Sequence, residues 1–109
     1  NAEDPFNDFI PSPGKITEFK PKLNVGPGKV RIDTHVKKGY EIPVYYDSMI
    51  CKIIAWGENR TQAIQTMKNA LKNFKIEGIK TTIPLHLEIL NFTDFIRGNY
   101  HTGTINKIL

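Results

Sequence analysis

The chain has 109 residues, with 15 Lys and Arg against 11 Asp and Glu, a net charge of +4. Hydrophobic residues make up 39% and aromatics 10%, which suffices for one modest core and excludes a disordered tail. No apolar run approaches the roughly 20 residues of a membrane span, and the lone Cys51 excludes an internal disulfide or a cysteine-based zinc cage.

Six of the seven prolines and four of the eight glycines precede residue 44. That density breaks helices and favours short strands joined by turns. Pro11-Ser12-Pro13-Gly14 reads as a turn, followed by a short strand over Ile16 to Phe19. Gly26-Pro27-Gly28 marks another turn. Val30, Ile32, Thr34 and Val36 then alternate with Arg31, Asp33, His35 and Lys37. A period of two predicts a strand with one buried and one wet face. Met49 to Trp56 is mostly apolar and reads as a more central strand, stopped by Gly57.

After Gly57 the period changes. Ala63, Ile64, Met67, Ala70, Leu71 and Phe74 fall on one helical face. Asn59 followed by Gln62 predicts a capping box with Asn in place of Ser or Thr. Gly78 is the expected stop. Thr81 or Thr82 then caps a second helix, with Pro84 in its first turn and Ile83, Leu87 and Leu90 facing inward. Thr93 to Gly98 fits a short helical turn. The expected class is α+β: a small antiparallel or mixed sheet followed by two helices.

Local motifs carry little chemistry. Pro13-Gly14-Lys15 lacks both the upstream glycine and the following Ser or Thr of a phosphate loop. Gly26-Pro27-Gly28 has the wrong spacing for a dinucleotide fingerprint; both read as turns. His35, His86 and His101 are too isolated for a zinc site. Cys51 reads as a small buried hydrophobe. Tyr45-Tyr46-Asp47-Ser48 reads as a turn whose Asp or Ser bonds the local backbone, or as a polar cluster facing a partner. Seven bases lie between Lys15 and Lys38 against Glu18 and Asp33. Only Phe19 is interleaved to stack a base, so a solvated face is favoured over a free-standing basic module for nucleic acid. Neither nucleic acid nor membrane is an expected partner. The missing leader and the single thiol fit a reducing, cytoplasmic setting.

Taken as an ordered string, the residues say more. Asn1-Ala2-Glu3-Asp4-Pro5, Phe9 to Ile16, Val30-Arg31-Ile32-Asp33 and Tyr46-Asp47-Ser48-Met49-Ile50 together resemble the C-terminal domain of biotin carboxylase. Gly57-Glu58-Asn59-Arg60, Met67 to Leu71, Gly78-Ile79-Lys80-Thr81, Phe95, Gly98 and Thr102-Gly103 continue the likeness across residues 1–109. The resemblance implies a rudiment single hybrid motif, a small sheet with helices. It implies carboxylation of carrier-bound biotin using ATP, bicarbonate and magnesium or manganese, with acetyl-CoA carboxylase and fatty acid synthesis as the first context. The same domain also occurs in pyruvate and propionyl-CoA carboxylases.

The implied partners are an ATP-grasp region of the same polypeptide, the biotin carboxyl carrier protein and a second copy in a homodimer. The family's catalytic arginine falls two positions before Asn1. No catalytic residue and no metal ligand is therefore expected in this chain, and the fragment is expected to turn nothing over and to bind no cofactor alone. Arg31 matches an arginine at the family's subunit contact. The aromatic often found three positions before it is replaced here by Gly28. Asp47 matches an aspartate on the active-site side, a candidate support of the biotin pocket.

Overall fold

The computed structural model describes residues 1–44 and 47–109. The described elements, in chain order, are β1 (Glu3–Asp4), β2 (Ile10–Pro11), β3 (Gly14–Lys15), β4 (Glu18–Lys20), β5 (Lys29–Asp33), β6 (Glu41–Ile42), β7 (Lys52–Trp56), α1 (Arg60–Lys72), β8 (Lys75–Glu77), α2 (Ile83–Asn91), α3 (Thr93–Ile96) and α4 (Thr104–Ile108). The class is α+β. The described strands form four two-stranded antiparallel ladders: β1 with β2, β3 with β6, β4 with β8 and β5 with β7.

Several expectations change in detail. Residues 16–19 do not form one strand: Ile16 is fully buried between β3 and β4. Gly14 and Lys15 sit in a ladder opposite Ile42 and Glu41, where a turn was expected. The strand from Val30 ends at Asp33 because the Thr34 hydroxyl turns the chain. It donates to the Ile50 carbonyl at 2.6 Å and accepts from the Val36 amide at 3.0 Å. The segment over Met49–Trp56 is not central: its strand, β7, is laddered to β5 alone among the described residues.

The helical half follows its periodicity. Asn59 Oδ1 accepts from the Gln62 amide at 2.9 Å, as a helix cap should. The return bond is displaced by one residue, since Gln62 Oε1 accepts from the Glu58 amide at 3.0 Å. Helix α1 ends at Lys72, before Gly78, because Lys75–Glu77 leaves the helix to pair with β4. Gly78 follows at φ 99°, and a Cβ there would stand 2.2 Å from the Lys15 carbonyl oxygen. Thr82 stands at the N-cap of α2 without a capping side-chain bond, while Thr81 Oγ1 accepts from the Ile83 amide at 3.3 Å. Pro84 lies in the first turn, as its missing N–H requires. Leu85 and Leu90 are the buried side chains of α2; Ile83 and Leu87 are half-buried.

Two apolar regions meet at one aromatic contact. Ala2, Ile16, Val36, Ile42 and Ile50 form the core of the strand-and-loop half. Ala70, Leu71, Phe74, Leu85 and Leu90 are buried on the helical side. The Phe19 and Phe74 rings join them edge to face, 5.1 Å apart.

Candidate functional site

The β5–β7 ladder has two unlike faces. Val30, Ile32, Ile53 and Ala55 point toward α1 and are half-buried. The other face carries the cross-strand pairs Lys29–Trp56, Arg31–Ile54 and Asp33–Lys52. Arg31 offers two nitrogens to Asp33, Nε to Oδ1 and Nη2 to Oδ2, both at 3.2 Å. The Lys29 ammonium lies 5.7 Å from the Trp56 ring centre. Trp56 is 56% and Ile54 40% exposed. An aromatic and an aliphatic flanked by charge have the composition of an interface patch. The expectation of a central strand missed this strip, because an apolar run does not reveal how many neighbours a strand has.

Gly28, where the resembled family often has an aromatic, is wedged between β7 and a side chain of α1. Its amide donates to Thr66 Oγ1 at 2.7 Å, and a Cβ would stand 1.8 Å from the Trp56 carbonyl oxygen. Thr66 is itself fully buried and donates to the Gln62 carbonyl at 2.7 Å.

Asp47 lies on a second feature. With His35, Tyr40, Ile42, Pro43 and Met49 it lines a hollow of about 440 Å³. The His35 ring packs edge-on to Tyr40 at 5.4 Å. Asp47 Oδ1 accepts from the Met49 amide at 2.9 Å, so the predicted local turn bond exists. Ser48 instead reaches across the chain to Glu3, Oγ to Oε2 at 2.5 Å. Tyr45 and Tyr46 of the tetrad lie outside the described residues. A smaller hollow of about 250 Å³ shares His35 and Met49 and extends to Asp33, Cys51 and Lys52. The Asp47 hollow and the Arg31 ladder are thus neighbours along one groove, though no described hydrogen bond joins the two residues.

The chemistry of these groups is that of a wall. Among the described residues no three His, Cys, Asp or Glu side chains could hold a metal ion together. The described residues do not fit magnesium or manganese. Cys51 is half-buried beside the core, and burial pushes its thiol pKa up, so the nucleophilic thiolate is disfavoured. Three of the seven bases in the basic stretch, Lys20, Arg31 and Lys38, pair with its two carboxylates. Glu18 lies 3.4 Å from Lys20 and 3.6 Å from Lys38. Burial works to raise the Glu18 carboxyl pKa, and the two ammonium groups outweigh it, leaving it below the ordinary value. No described helix is long and apolar enough to cross a membrane.

Residues 1–107 match the family model of the biotin carboxylase C-terminal domain. The chain belongs to that family. Among curated relatives it is 49% identical to biotin carboxylase 1 of Bacillus subtilis over 102 residues, covering 94% of this chain and 22% of that one. It is 48% identical to a pyruvate carboxylase subunit of Methanothermobacter thermautotrophicus over 107 residues, 98% of this chain and 21% of the relative. The structure superposes on the biotin carboxylase domain dimer of Hydrogenobacter thermophilus 2-oxoglutarate carboxylase, bound to MgADP, ADP and bicarbonate, with a TM-score of 0.91. Identity is 39%, over 98% of this chain and 23% of that one. The Campylobacter jejuni biotin carboxylase gives a TM-score of 0.87 at 44% identity, covering 97% of this chain and 23% of that one. This biotin carboxylase C-terminal domain thus spans less than a quarter of the length of these relatives.

Proposed function

We propose that residues 1–109 form one domain that completes the biotin side of a biotin carboxylase. The full enzyme carboxylates carrier-bound biotin at the expense of ATP, with bicarbonate as the carbon source and magnesium or manganese bound outside this domain. The family match over residues 1–107 carries this reading. The Hydrogenobacter complex with MgADP and bicarbonate supports the cofactor set.

Within this reading Asp47 supports the pocket wall. Arg31, with Ile54, Trp56 and Lys29 around it, forms the surface for a second copy. The partners are the ATP-grasp region of the same polypeptide, the biotin carboxyl carrier protein and the other protomer of a homodimer. Acetyl-CoA carboxylase in the cytoplasm is the proposed context; several relatives are named simply as biotin carboxylases, without a transferase in the name. The pyruvate carboxylase relative of near-equal identity makes pyruvate the rival acceptor.

The test is bicarbonate-dependent ATP cleavage by the full-length enzyme with and without biotin. Stimulation by biotin is the expected result, with no cleavage by the 109-residue chain alone. Cleavage by the isolated chain would refute the reading. Adding the matching transferase with acetyl-CoA or pyruvate then separates the two contexts.

A further inference from the structure

Asp47 sits on a turn whose own bond, to the Met49 amide, is purely local. A local turn fixes the shape of three residues but not their place in the molecule. Beyond the turn Ile50 is held in the core, and on the turn itself the long-range bonds come from the next residue. The Ser48 carbonyl accepts from the Ala2 amide at 2.7 Å, and the Ser48 hydroxyl donates to Glu3 Oε2 at 2.5 Å. The other Glu3 oxygen, Oε1, accepts from Asn1 Nδ2 at 3.2 Å. Ala2 is fully buried in the core. Ser12 donates its amide to the Ala2 carbonyl at 2.8 Å, and the Thr82 amide reaches the Asn1 carbonyl at 3.0 Å. The N-terminal strand is therefore anchored on several sides, and the Asp47 turn hangs from it by Ser48.

We propose that Ser48 and Glu3 form a positioning latch that locks the Asp47 turn, one wall of the groove, to residues 1–3. This rests on the functional reading above, in which that groove borders the biotin pocket. Neither residue touches the reacting atoms. The hydroxyl is half-buried and bonded to a carboxylate, so the contact is charge-assisted and directional. Its loss lets the turn shift while the Asx bond stays intact. Small misplacements of a positioning element lower turnover without altering the fold.

The experiment uses the full-length enzyme carrying S48A, E3A, E3Q and the S48A/E3A pair. S48A is expected to lower biotin-stimulated kcat by about tenfold. The KM for ATP, the biotin-independent ATP cleavage and the Tm stay within about twofold or a few degrees of wild type. E3Q keeps an acceptor oxygen for Ser48 and retains most of the activity, while E3A behaves as S48A. Adding S48A to E3A costs little more, because the two act as one unit. Unchanged biotin-stimulated turnover in S48A overturns the latch alone. Equal losses in both ATP reactions, or additive losses in the pair, also overturn it. Should the wild-type enzyme show no biotin stimulation at all, the functional reading falls and the latch with it.

Discussion

From Asn1 to Glu58 the longest described regular segments are the five-residue β5 and β7, whereas beyond Asn59 α1 alone runs for 13 residues. The first half finds its backbone partners far away in sequence. Ala2 bonds Ser48, Thr17 bonds Glu77, and Gly28 bonds Thr66. The second half finds most of them within four residues, along the helices. Arg31 and Asp47, the two residues singled out for function, both lie in the half held by distant contacts. Helices here provide a support, and the chemistry-bearing groups sit on segments that have little order of their own.

This difference gives a direct way to break the comparison, at the place where the halves touch. A methyl group at Gly28 meets the Trp56 carbonyl oxygen at 1.8 Å and Thr66 Oγ1 at 2.9 Å. The first neighbour is backbone and cannot swing away. Gly28→Ala is therefore expected to cost more than about 4 kcal/mol, at the exceptional end for one substitution, or to abolish folding. Denaturant unfolding reads this directly. A loss below about 1 kcal/mol would show that the backbone at Gly28 can move off both Trp56 and Thr66 without harm, and this join of β5, β7 and α1 would be looser than described.

A smaller effect sharpens the picture from inside each half. Ile16 is fully buried among the short strands, and Leu85 is 2% exposed beneath α2. Truncating either to Ala should cost about 2–4 kcal/mol through lost burial and the cavity left behind. The edge-to-face pair of Phe19 and Phe74 couples the two regions. Both variants are thus expected to lower one shared transition, seen alike by far-ultraviolet dichroism and Trp56 fluorescence. Two separable transitions, with Ile16→Ala moving only one, would mean that the halves unfold independently.

The same contrast explains how much could be read from the residues alone. Helix α1 has a cap residue and five of the six apolar positions of the expected face, so its position follows from local rules. The α+β class follows too, from the change of period after Gly57. Strand β8 was missed because Lys75, Ile76 and Glu77 gain strand geometry only from Glu18, Phe19 and Lys20 opposite. The exposure of Trp56 and Ile54 was missed for a related reason, since composition cannot show that β7 has one described neighbour. The turn bond of Asp47 was foreseeable, as Asp two residues before an amide commonly makes it. The groove was not, because His35, Tyr40 and Asp47 converge only after the long-range contacts form. Ser48 carried no signal for Glu3, 45 positions away.

The weakest expected effect concerns one more long-range tie in the first half. Lys80 Nζ donates to Asp4 Oδ2 at 2.9 Å, and the Phe6 amide donates to Oδ1 at 3.1 Å. The Lys80 hydrogen bond is the main cause that holds the Asp4 carboxyl below its ordinary pKa, with burial opposing it and the Phe6 amide and the Lys80 charge assisting. A carboxyl that is more acidic in the folded chain binds fewer protons there than in the unfolded chain. Its contribution to stability is then complete above the unfolded value, about 3.9, and is lost as the pH falls through the lower folded value. Asp4→Asn removes the charge and hence this dependence. The wild-type Tm should exceed that of the variant near neutral pH, and the gap should close below about pH 4. Lys80 is 71% exposed, so the gap should also be small and should shrink in about 1 M salt. No gap near neutral pH would mean that Asp4 acts through its local bond to Phe6, which an amide oxygen also accepts, and that the tie to Lys80 contributes nothing to joining β1 with the loop before α2.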